Sequence, residues 1–194
     1  MSERLDRALA ALDALHAEDP EQVELDGAPV PAELLYARRM TAALAQLTTE
    51  PSEELRLAVR AQHLCRWRLP RSSYPDGKAG YHAWRREEAR RHAELAAATL
   101  REAGYGEDAV LRVGALIQKK DLSRDPAAQA VEDAACLVFL EHYAEAFARG
   151  RHEAQLVDIV QKTWRKMSPR ARELAHALPL AGGVRALVLR ALGA

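Results

Sequence analysis

Cysteine is scarce in this 194-residue chain: Cys65 and Cys136 are the only two, and they form no CxxC spacing. That favours two reduced core thiols over a disulfide framework or a cysteine-based zinc site. Aromatic residues make up only 5% of the chain, whereas alanine recurs throughout, so helices can approach one another closely with small side chains between them. Charge of one sign is not in excess, since 28 basic residues face 28 acidic ones. This balance removes any argument from overall charge for a nucleic-acid or membrane partner. No apolar run of signal-peptide length follows Met1, and none later approaches a membrane span, which predicts a cytoplasmic protein. GxGxxG and Walker patterns are also missing, and with them the usual dinucleotide and nucleotide cradles.

What the chain does have is helical periodicity. Leu5, Leu9 and Leu12 begin one helix; Pro31 starts a second running to about Leu47, and Pro51 a third ending near Trp67, proline being favoured at the first helical position. Val23 and Leu25 suit a short extended piece beside the Asp26-Gly27 turn. A loop carrying Pro70, Ser72, Ser73, Pro75, Asp76 and Gly77 precedes a long helix closed by Gly104. Another spans residues 107 to about 120, and Asp125-Pro126 opens the most apolar helix of the chain, residues 125–149. Further helices are predicted over 152–167, from Ser168-Pro169, and after Gly182-Gly183. The expected architecture is all-α: a single-domain helical bundle covering 1–194, with about nine helices and residues 125–149 at its centre.

Polar residues interrupt three apolar faces. Leu55, Val59, His63 and Trp67 follow at intervals of four, which predicts that His63 faces inward. His92 borders the Ala89, Ala93, Ala96 and Leu100 stripe, with Glu88 one turn before it. Asp133 is in line with Ala130, Leu137, Leu140 and Ala144, and its neighbour Glu132 can share that space or turn away. A buried carboxylate demands a partner, whether ion pair, hydrogen bond or bound cation. Taken singly, each of these residues suits a hydrogen-bonded core or surface position. Taken together, imidazoles and carboxylates from separate helices suit manganese, zinc or iron.

Between Arg60 and His92 nine basic residues face three acidic ones in a protein of net zero charge. Arg66, Arg68 and Arg71, with the hydroxyls of Ser72 and Ser73, form a candidate anion-binding loop next to His63, because guanidinium forks match phosphate geometry. The alternative is a solvated face with i,i+4 pairs such as Glu87 and Arg91. A second basic run, "QKTWRKMSPRAR", places Trp164 among cations, a composition that suits RNA or, equally, the closing turn of a helix.

The strings "ELLYARRMTAAL", "RAQHLCRWRLPRSSYP", "GYHAWRREEARRHAE", "VEDAACLVFLEHY" and "KTWRKMS" together resemble the domain of unknown function 4202 family over almost the whole chain. More distantly, the pattern is similar to the HD superfamily of helical metal-dependent phosphohydrolases. That resemblance implies an HD-like fold, with His63, His92 and Asp133 as metal ligands and Glu132 or His63 in the catalytic role. Arg66, Arg68, Arg71, Ser72 and Ser73 would then meet a phosphorylated small molecule or nucleotide. Two positions depart from the HD pattern: Tyr36 stands where the first histidine belongs, and Leu64 replaces the aspartate expected after His63. The competing expectation is a helical module that binds an anion or a protein without chemistry; RNA binding ranks below both.

Overall fold

The computed structural model describes residues 2–149, 152–180 and 182–192. Among them are ten α-helices, one more than periodicity predicts: α1 (Glu3–Ala17), α2 (Ala32–Leu47), α3 (Glu53–Arg60), α4 (Gly77–Glu102), α5 (Glu107–Ile117), α6 (Pro126–Val138), α7 (Ala144–Ala148), α8 (Glu153–Lys166), α9 (Pro169–Ala177) and α10 (Gly182–Leu192). The extra helix arises because the central apolar segment is not continuous. It passes from α6 through a π-turn, Phe139–Tyr143, into α7. The short extended piece is a hairpin, β1 (Gln22–Leu25) pairing antiparallel with β2 (Ala28–Pro31). Asp26 and Gly27 both take positive φ at its tip, as a tight two-residue hairpin turn requires. None of the described helices is long and apolar enough to cross a membrane.

Helix α6 lies at the centre, packing against α2, α3, α5, α8 and α9. Asp125 caps it by accepting the Ala127 N–H at 3.0 Å, and Pro126 occupies the first turn. Its Val131, Ala134 and Leu137 join Met40 of α2, Leu57 of α3 and Leu116 of α5 in one core. Each fully buried side chain of that size contributes about 1.5–3 kcal/mol through removal of apolar surface from water.

The third helix is shorter than its apolar spacing predicts. It ends at Arg60, and residues 61–69 descend through successive i→i+3 turns in which His63 and Cys65 adopt left-handed φ of 62° and 55°. Cys65 is a buried free thiol in this turn rather than in a helix, while the free thiol Cys136 is buried within α6. Two buried side chains hold the helix end. The His16 Nε2 contacts the Arg60 carbonyl at 2.9 Å, and Gln62 reaches the carbonyls of Ala58 and Ile117, satisfying groups that a helix terminus otherwise leaves orphaned.

The loop after α3 is anchored from within. Arg71 donates to the carbonyls of Tyr74, Pro75 and Gly77, and Trp84 of α4 donates to the Leu69 carbonyl at 2.9 Å. Gly80 packs directly beneath this loop: a β-carbon there would lie 1.9 Å from the Pro75 carbonyl oxygen. Gly80→Ala is therefore expected to destabilise the protein by about 1–3 kcal/mol, read as a lower midpoint in urea denaturation with an unchanged m-value.

Candidate functional site

Three segments deliver polar side chains to one buried place. From α2 come Glu33 and Tyr36, neighbours on one helix face. The start of that helix is held by the buried Asp19, whose carboxylate accepts the Glu33 N–H at 2.9 Å and the Glu21 N–H at 3.0 Å, so the hairpin is closed against α2 and Glu33 is aimed. From the left-handed turn after α3 come His63 and Arg66. From α4 come Glu88 and His92, one turn apart and both buried.

The His63 ring stacks on Tyr36, with centroids 4.0 Å apart and planes 7° from parallel. Its Nδ1 is 3.3 Å from the Glu33 carboxyl, and Arg66 Nη1 lies 3.2 Å from both ring nitrogens. The same guanidinium stands 3.8 Å from Glu88 Oε2 and 4.9 Å above the Trp84 ring. The His63 and His92 centroids are 6.1 Å apart. His92 Nε2 faces Glu88 Oε2 at 3.2 Å, yet neither atom has an aligned hydrogen-bond partner. His16, wholly buried at the end of α1, also has an unpartnered Nδ1, and His92 lies near enough to act electrostatically on its imidazole. These three are the buried side-chain polar atoms left unpaired among the described residues, and two of them, on Glu88 and His92, belong to this cluster.

Burial sets the protonation states. It pushes the Glu33 carboxyl up to about 8 against the opposing charge of Arg66. It pushes His63 well below its usual range, helped by Arg66, His92, Arg85 and Lys119. His92 is lowered by burial despite Glu88, and His16 by burial despite its bond to Arg60. Near neutral pH the imidazoles are thus uncharged, the form in which they bind metals or accept protons.

The other predicted site residues lie elsewhere. Asp133 Oδ1 accepts the Ser168 N–H and the Gln129 amide, both at 2.9 Å, tying α6 to the start of α9. Glu132 pairs with Lys119 at 2.5 Å and Lys166 at 3.3 Å; burial raises its carboxyl, but the two ammonium groups outweigh this and hold it below the usual range. No described contact links either acid to His63 or His92. Arg68 pairs with Glu18 at 2.6 Å, and Ser72 and Ser73 are exposed in a 3-10 turn. In the second basic run Lys162 pairs with Asp158, Arg170 with Glu173, and Arg172 donates to the Trp164 carbonyl. Glu33 and Arg66, as an inward cation, complete the cluster, and His16 is a further buried imidazole held at the Arg60 carbonyl. Glu33 was hidden because its helix start depends on Asp19, and His16 because a histidine closing a helix reads as surface.

The fold and cluster define a helical protein with a buried histidine–carboxylate–arginine centre. The model described as Domain of unknown function (DUF4202) matches residues 6–188, and the chain belongs to that family. No curated protein and no solved structure shows significant similarity to it.

The shifts give stability a defined pH dependence. A carboxyl raised on folding stabilises the native state below its unfolded value of 4.5, and that contribution is lost as pH rises through about 8. The lowered imidazoles act oppositely: their contribution is present above about pH 6.5 and lost as pH falls. Chelator-treated wild type is expected to lose on the order of 1–2 kcal/mol between roughly pH 6.5 and 8. Glu33→Gln removes most of that slope, as measured by urea denaturation at each pH.

Proposed function

We propose that this chain is an HD-like, metal-dependent hydrolase of a phosphorylated small molecule, with its centre at His63, His92, Glu88 and Glu33. The observation that carries the reading is the buried pair of Glu88 Oε2 and His92 Nε2, 3.2 Å apart but with no aligned hydrogen bond at either atom. Buried polar atoms are normally satisfied, and a shared cation satisfies both at once. The donors available are the two neutral imidazoles and the Glu88 carboxylate, a mixture that suits manganese, zinc or iron. A divalent cation there supplies Lewis acidity and lowers the pKa of water.

Among the described residues no three histidine, cysteine, aspartate or glutamate side chains already converge as a metal cage. Arg66 accounts for this, since its guanidinium lies between His63 and Glu88 and supplies the positive charge they need. A cation held by His63, His92 and Glu88 would take the place of the Arg66 guanidinium, which would then be free to neutralise phosphate. Glu33, held protonated, would then donate a proton to the leaving group, while His63, held neutral, would serve as a ligand. Asp133 and Glu132 serve the fold in this scheme, and Arg68 and Arg71 hold the loop.

The same seated arginine favours a second reading, a cytoplasmic anion-binding module without chemistry, in which Arg66 is the permanent internal cation. Metal analysis of protein purified without a histidine tag, together with phosphate release from a nucleotide panel with added manganese, separates the two. The hydrolase reading expects about one transition metal per chain and turnover that His63→Ala and His92→Ala abolish. Asp133→Ala retains the metal and lowers stability by about 1–3 kcal/mol, because it removes the buried carboxylate that accepts the part-buried Ser168 N–H. Absence of both metal and phosphate release would overturn it.

A further inference from the structure

We propose that Arg39 and Arg85 are the residues that bind the ligand's phosphoryl group, at the Tyr36 edge of the buried cluster. The assignment rests on that cluster being a ligand site and does not require that it hold a metal. Most nearby arginines are already committed: Arg60 to Asp13, Arg68 to Glu18, Arg71 to three carbonyls of its own loop, and Arg66 to His63 and Glu88. Arg39 and Arg85 have no carboxylate partner among the described residues, although both are partly buried, where an unneutralised cation is costly.

Each is placed by a helix that also carries cluster residues. Arg39 follows Tyr36 by one turn of α2. Its Nη1 donates to the Tyr143 hydroxyl at 3.2 Å, and its guanidinium lies 5.4 Å from that ring's centroid. A tyrosine orients the fork without cancelling its charge. Tyr143 is there because of the π-turn Phe139–Tyr143, which brings its ring to 5.9 Å from Tyr36; such turns often mark functional positions. Arg85 precedes Glu88 and His92 by one and two turns on the same face of α4, and its charge is felt by Tyr36, His63 and His92. Arg39, held by Tyr143, and Arg85, on the α4 face that carries Glu88 and His92, are two unneutralised guanidiniums on helices that both feed the cluster, a pair that suits the doubly charged phosphoryl group better than a singly charged carboxylate.

Calorimetric titration of the full chain with inorganic pyrophosphate, in chelator, tests the assignment. Wild type is expected to bind pyrophosphate and to bind acetate at least tenfold more weakly. Arg39→Ala and Arg85→Ala each weaken pyrophosphate at least tenfold, Arg39→Lys and Arg85→Lys weaken it less, and Arg68→Ala leaves it unchanged. The lysine variants keep the charge and most of the bulk, so they report on binding even where an alanine variant fails to fold. No pyrophosphate binding by wild type, equal binding of acetate, or unchanged affinity in both lysine and alanine variants overturns the proposal. Retained pyrophosphate binding in a protein that takes up no metal and releases no phosphate overturns the hydrolase reading alone and leaves this one standing.

Discussion

A guanidinium drawn into the interior makes the centre of this protein electrically tolerable. Glu88 is almost wholly buried and Glu33 largely so, and two neutral imidazoles stand between them. Two ionised carboxyls without a cation would cost several kcal/mol in such a place. Arg66 supplies the charge for Glu88, while Glu33 is relieved by keeping its proton to about pH 8. The stacking of Tyr36 on His63 and the closure of the loop over Trp84 both follow from where that arginine is seated.

Arg66 reaches that seat because α3 stops early. Continuing the helix to Trp67 would carry His63 and Arg66 along one straight rod. The left-handed conformations at His63 and Cys65 instead turn the chain and bring both side chains against α2 and α4. Non-glycine residues in that conformation cost about 1–2 kcal/mol each, and the bonds from His16 and Gln62 to the helix-end carbonyls offset part of it. Two of the five non-glycine residues with positive φ among the described residues thus lie in the turn that delivers His63 and Arg66.

The polar cluster and the α6–α9 junction divide the acids of the protein between two tasks. Asp133 and Glu132 lie on the most apolar helix, and their burial is explained by the Ser168 N–H, Gln129, Lys119 and Lys166. Glu33 and Glu88 lack such complete neutralisation, and the unpaired atoms of Glu88 and His92 face each other there. An acid on an apolar helix face signals burial in either case. Only its partners tell a fully neutralised acid from one that is not.

Local pattern by itself determined the all-helical class, most helix starts, the hairpin turn at Asp26-Gly27, the burial of His92 and Asp133, and the standing of Glu88 one turn from His92. These follow from proline, glycine and apolar spacing, which act within a few residues. The early end of α3, the π-turn that positions Tyr143, the partnering of Asp133 with a backbone amide 35 residues away, and the recruitment of Glu33 and Arg66 were decided by tertiary structure. Each depends on which carbonyl, amide or charge another segment presents at contact distance, and residue spacing along one helix carries no information about that.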